Sequence, residues 1–144
     1  RKNINFMNKK VLIVSANYYN DISDSLKIGA TEFLKENNIY CEIIDSPGSF
    51  EIPYIINRNL KFYDGFIALG CIIRGETYHF ELISNECSRK IMDLSISSNK
   101  PIGFGILTCE NKTQALQRSD PNSGNKGREA AKACLDLLKL NYGQ

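Results

Sequence analysis

A chain of 144 residues fits one domain and is long enough to close a core without disulfides or metal. Apolar residues make up 42%, charged residues 24%, and the formal net charge is +2, an ordinary globular balance without the basic excess of a nucleic-acid binder. No apolar run approaches the roughly 18 residues of a membrane span. The basic, polar stretch over residues 1–10 is unlike a secretory leader, so no membrane partner and a cytoplasmic location are expected.

Residues 1–9 are expected to form a flexible or partner-contacting N-terminal segment of a single domain covering residues 1–144. Val11-Leu12-Ile13-Val14 is a short apolar run of the kind buried in a sheet. Ile22, Leu26, Gly29, Ala30, Phe33 and Leu34 then fall at helical spacing, and Asn37-Asn38 ends that helix. Residues 39–44 read as a second strand, with Cys41, Ile43 and Ile44 as its apolar positions. Pro47-Gly48 turns the chain into a second helix over 50–60.

Residues 66–73 are almost continuously apolar, as a strand covered on both faces must be. Phe80, Ile83, Cys87, Ile91 and Leu94 make one stripe at steps of three and four, which predicts a long helix. Pro101 precedes a fourth strand over 102–107. A short helix over 112–118 and a last one over 125–140 flank the loop Asp120-Pro121-Asn122-Ser123-Gly124.

This strand–helix alternation predicts an α/β protein: a three-layer αβα sandwich around a four-stranded parallel sheet, with right-handed crossovers and flavodoxin-like winding. In such folds ligands bind beyond the carboxyl ends of the strands. Five cysteines lie far apart, no Cys-x-x-Cys pair occurs, and His79 is the single histidine, so reduced, buried thiols and no metal are expected.

After the first strand, Ser15-Ala16-Asn17-Tyr18-Tyr19-Asn20 contains no glycine, against a dinucleotide-type phosphate loop. Its tyrosines suit either ring stacking or plain surface packing. After the second, Ser49, Phe50 and Glu51 have two readings as well. They suit a hydroxyl-rich ligand at a helix start, or a cap with an acid in the first turn.

The third strand end, Cys71-Ile72-Ile73-Arg74-Gly75-Glu76-Thr77-Tyr78-His79, runs through a turn into a helix whose free amides favour an anion. Imidazole titrates near neutral pH, which suits proton transfer, although a lone histidine is more often structural. Arg118, Lys126 and Arg128 flank the 120–124 loop, as phosphate ligands or as solvated helix-end cations.

Taken together, these stretches resemble the lumazine synthase family. Pro47-Gly48-Ser49-Phe50-Glu51-Ile52-Pro53 is similar to its Pro-Gly-Ala-Phe-Glu-Ile-Pro segment. The run from Ala68 to Phe80 is similar to its Ala-Leu-Gly-x-Val-Ile-Arg-Gly-x-Thr-x-His-Phe signature. Asn85-Glu86, Phe104-Gly105, Gln114-Ala115, Arg118 and Gly124-Asn125-Lys126-Gly127 follow in the family's order and spacing.

The resemblance implies a transferase of riboflavin biosynthesis. It joins 5-amino-6-(D-ribitylamino)uracil to 3,4-dihydroxy-2-butanone 4-phosphate, releasing phosphate and water, with no metal or organic cofactor. It also implies roles for individual residues. Tyr18 stacks on the pyrimidine, with Tyr19 as the competing candidate. Ser49, Phe50 and Glu51 hold the ribityl chain and ring edge, and the Cys71, Ile72 and Ile73 backbone reads the pyrimidine.

Glu76 and Thr77 form the phosphate-side turn, His79 transfers protons, and Arg118 and Lys126 hold the phosphate. Phe104 adds a ring contact from an adjacent subunit, since the family self-associates as pentamers or shells of twelve pentamers with sites between subunits. Three stretches depart from the family pattern: Asn17-Tyr18-Tyr19 stands for Arg-Phe-Asn, Ser49 for alanine, and Glu76 brings a carboxylate to the phosphate side. Two other readings accompany this one. Lys126 could serve an aldolase-like reaction as Schiff-base nucleophile, or the fold could bind flavin or lumazine without catalysis.

Overall fold

The computed structural model describes residues 8–142, so the expectation for residues 1–9 lies mostly outside the described residues. The chain runs β1 (Lys10–Ala16), α1 (Asn20–Glu36), β2 (Tyr40–Ser46), α2 (Ile52–Arg58), β3 (Gly65–Ile73), α3 (His79–Ser98), β4 (Ile102–Cys109), α4 (Lys112–Ser119) and α5 (Lys126–Tyr142). The strands form one four-stranded sheet in the order β2-β1-β3-β4. Every pairing is parallel, with Ala16 beside Ser46, Ser15 beside Leu69, and Ile73 beside Cys109. The predicted class and winding hold.

Side chains alternate across the sheet and build two cores. Val11, Ile13, Ile67, Leu69 and Leu107 pack with Leu26, Ala30 and Leu34 of α1, Ala115 of α4, and Ala131, Leu135 and Leu138 of α5. On the other face Leu12, Val14, Phe66, Ala68 and Ile106 meet Ile52 and Ile56 of α2 and Cys87, Ile91 and Leu94 of α3. β3, central in this arrangement, is buried from Gly65 to Ile72. Among the described residues, no helix is long and apolar enough to cross a membrane.

One local difference from the sequence reading has a physical cause. The segment read as one helix over 50–60 is a 3-10 turn, Ser49–Glu51, followed by α2, which ends at Arg58. Pro53 has no N–H to donate, so the α-helical ladder cannot reach back to Ser49, and those residues close a tighter turn. Asn59 stops the helix by donating its side-chain amide to the Ile55 carbonyl at 2.7 Å. Ile43, one of the apolar positions of β2, is 45% exposed because β2 is an outer strand.

Two glycines set how closely α5 lies on its neighbours. A Cβ on Gly103 would stand 2.0 Å from the Ala130 carbonyl oxygen, and one on Gly127 would stand 2.1 Å from the Leu26 carbonyl oxygen. Neither contact is survivable without backbone movement. Gly103→Ala and Gly127→Ala should each lower stability by about 1–3 kcal/mol or more. Thermal denaturation measures this, and an unchanged midpoint would contradict the packing.

Candidate active site

The carboxyl ends of β1, β2 and β3 open on one cleft of about 600 Å³. Its walls are Tyr18 and Tyr19, the Gly48–Glu51 turn, Cys71, Ile72 and Ile73 at the end of β3, and His79, Leu82 and Ile83 on the first turns of α3.

The turn after β1 is fixed from beneath. Ser23 donates its buried hydroxyl to the Ala16 carbonyl at 2.8 Å, and Ser15 donates to the Asn17 side-chain oxygen at 2.9 Å. Tyr18 then stands 76% exposed at the cleft wall, whereas Tyr19 packs against the α1–α5 core. The two rings meet edge to face, with centroids 4.9 Å apart and planes at 83°. Tyr18 therefore offers an open ring and Tyr19 supports it. Burial, then the neighbouring Cys71, raises the Tyr19 phenol above its ordinary pKa, so it remains a neutral hydroxyl.

The second wall is tied to α3. Cys87 donates its buried thiol to the Ser49 carbonyl at 3.2 Å, and Ser46 donates to the Gly48 carbonyl at 2.6 Å. Ser49 is buried, while Phe50 turns its ring outward at 54% exposure. Burial, followed by the charge of Glu51, pushes the Cys87 thiol up to about 11, so it serves as a neutral strut.

Beyond β3 the chain is held by Arg74. Its backbone N–H donates to the Cys109 carbonyl at 2.9 Å. Its guanidinium pairs with Glu110 at 2.9 Å and with Glu81, and lies over the Phe80 ring at 4.4 Å. Thr77 accepts from the His79 backbone N–H at 3.2 Å, which starts α3 and leaves the His79 side chain exposed at the cleft.

Thus Tyr18, Ser49, Phe50, Glu51, Cys71, Ile72, Ile73 and His79, singled out from sequence, share one cavity. Glu76 and Thr77 lie on the exposed loop before α3, outside its lining. Arg118, exposed on α4, donates to the Gln114 carbonyl at 3.4 Å. Its charge acts on Cys109, where it opposes the upward push of burial on that thiol. Cys109 in turn touches Cys71 in the cleft wall, whose thiol burial raises to about 12. Arg118 does not line the cavity.

Lys126 starts α5 and pairs with Glu129 at 3.1 Å, its side chain 43% exposed. A Schiff-base lysine needs desolvation, which this position lacks. Phe104, 45% exposed on the outer strand β4, does not line the cleft. Among the described residues, no three His, Cys, Asp or Glu side chains group as a metal would need.

Leu82 and Ile83 were not assigned to the site from sequence. Their signal was present, since they follow His79 by three and four residues and so share its helix face. The Arg74 clamp left no such trace, because its carboxylate partners lie 7 and 36 residues away.

Residues 8–142 match the family described as 6,7-dimethyl-8-ribityllumazine synthase. The chain belongs to that family. It is 46% identical over 143 residues to the 6,7-dimethyl-8-ribityllumazine synthase of Bartonella bacilliformis, covering 95% of this chain and 94% of the relative. The proteins of that name from Novosphingobium aromaticivorans and Zymomonas mobilis are 49% and 46% identical, each covering 91% of this chain and 95% of the relative. Every cleft wall falls inside the stretch that matches the lumazine synthase family.

Proposed function

We infer that this chain condenses 5-amino-6-(D-ribitylamino)uracil with 3,4-dihydroxy-2-butanone 4-phosphate to give 6,7-dimethyl-8-ribityllumazine, phosphate and water. The observation that carries this reading is the meeting of Tyr18, the Ser49–Glu51 turn and His79 around one cleft in a chain of this family.

The pyrimidine ring stacks on Tyr18 with its polar edge against the Cys71, Ile72 and Ile73 backbone. The ribityl hydroxyls meet the Ser49–Glu51 turn. The butanone phosphate lies between the Glu76-Thr77 loop and Arg118, where a planar guanidinium suits a phosphate; Lys126 adds a point charge. Glu76 is exposed.

The reaction forms an imine with loss of water, expels phosphate, and closes the ring by attack of the second nitrogen with loss of water. Each step moves a proton between nitrogen, carbon and oxygen. An imidazole beside the reacting atoms can serve in both directions, an effect worth about 10² to 10⁴-fold. Holding two substrates in one cleft removes a further several kcal/mol of the barrier.

Self-association completes the site. Phe104, Met92 and Ile96 are 45%, 61% and 73% exposed, and large apolar side chains left open in this way suit a face covered by another copy of the chain. A neighbour's Phe104 then reaches the cleft that its own chain does not use it to line.

Mixing both substrates with pure protein should produce the absorbance and fluorescence of the lumazine. Tight product binding without turnover would instead mark a carrier. His79→Ala should lower kcat by roughly ten- to a thousand-fold while the protein stays folded, and wild-type turnover would remove His79 from the mechanism. Arg118→Ala should raise KM for the sugar phosphate by roughly tenfold or more and spare that for the pyrimidine. Unchanged kinetics would refute that role. Light scattering should give a pentamer or larger, and a monomer of 16.3 kDa would contradict the shared site.

A further inference from the structure

The loop joining α4 to α5 is organised by one side chain, Asn125, which is only 4% exposed. Its amide nitrogen donates to the Ser119 carbonyl at 2.7 Å and to the Ser25 carbonyl at 2.9 Å. Its amide oxygen accepts from the Arg128 backbone N–H at 2.9 Å, which caps the first turn of α5. The carboxamide thus joins the middle of α1, the end of α4 and the start of α5.

Space for it exists because two neighbours are glycine. A Cβ on Gly29 would stand 2.1 Å from the Asn125 amide oxygen, and one on Gly127 would stand 3.0 Å from it. The group is boxed in, and its two donor hydrogens and its acceptor are used within the chain.

The carbonyl that Asn125 holds belongs to the residue after Arg118, and Asn125 itself precedes Lys126. Both phosphate-binding cations proposed above are therefore attached directly to its hydrogen-bonded frame. Neither cation is fixed by deep burial of its own. Arg118 is exposed with one long bond at 3.4 Å, and Lys126 has one surface pair. Such a surface pair contributes little rigidity.

We propose that Asn125 is a positioning residue that sets the spacing of Arg118 and Lys126 for the phosphate of the sugar substrate. This rests on the activity inferred above, but its mechanical content is separate: a buried amide closes the 119–125 loop and so holds the backbone that carries both cations. Serine at this position retains a cap acceptor but cannot span to both carbonyls. Aspartate retains the acceptor and presents negative oxygens to two carbonyls.

The test uses Asn125→Ser and Asn125→Asp, with inorganic phosphate as the probe and calorimetry well below each unfolding midpoint as the readout. Leu34→Ala, a core change in α1 away from the cations, supplies a control that lowers stability alone. Both Asn125 variants should bind phosphate roughly ten- to a hundred-fold more weakly than wild type, while the control binds normally. In turnover, KM for the sugar phosphate should rise and KM for the pyrimidine should hold.

Wild-type phosphate affinity in folded Asn125→Ser would overturn the proposal, and so would failure of the wild type to bind phosphate. If Asn125→Asp does not fold, Asn125→Ser alone decides. Weakened phosphate binding in the variants, in a wild type that makes no lumazine, would uphold the positioning role and sink the inferred activity instead.

Discussion

β3 runs through the middle of the molecule with both faces covered, and this constraint organises everything else. From Gly65 to Ile72 the strand is buried, so each side chain there must be apolar or absent and each backbone polar group must be paired. The parallel ladders to β1 and β4 do that pairing, and the helices on either face exclude water. Chemistry needs polar groups with access to solvent, and the first place where the chain can supply them is past Ile72. The cleft lies there, beyond the carboxyl ends of the strands.

The cleft walls depend on small polar ties between elements. Ser23, Ser46 and Cys87 each bond to a backbone carbonyl at a strand end or turn, and together they fix the Tyr18 loop and the Ser49–Glu51 turn. Arg74 does the same work for the loop before His79, between carboxylates on β4's extension and on α3. These contacts involve no reacting atom. They hold groups that converge from three strand ends, which is how a parallel sheet gathers distant residues into one site.

Much of this was legible in the sequence, for identifiable reasons. The 66–73 run reads as a buried strand because both faces demand apolar side chains, and the Phe80-Ile83-Cys87-Ile91-Leu94 stripe reads as a helix because one face does. α1 ends at Glu36, where Asn37-Asn38 implied that it would, and Asn38 there has a φ of 59°. The candidate site residues came chiefly from the family motif, since Ser49, Cys71 and His79 taken alone fit structural roles equally well. Three kinds of feature stayed hidden. The 3-10 turn at Ser49 depends on Pro53 removing one donor. The Arg74 and Asn125 networks join residues far apart in sequence with no period to reveal them. The exposure of Phe104 depends on β4 lying at the edge of the sheet, which the order of the strands along the chain does not give.

The central claim is that the strand-end cleft takes the pyrimidine substrate on Tyr18. A crystal structure with 5-amino-6-(D-ribitylamino)uracil tests it most directly. The account predicts the ring stacked on Tyr18, its polar edge on the Cys71, Ile72 and Ile73 backbone, and the ribityl chain along Ser49–Glu51 with His79 beside the reacting amine. A pyrimidine bound away from that cleft, with Tyr18 left open to solvent, would contradict it.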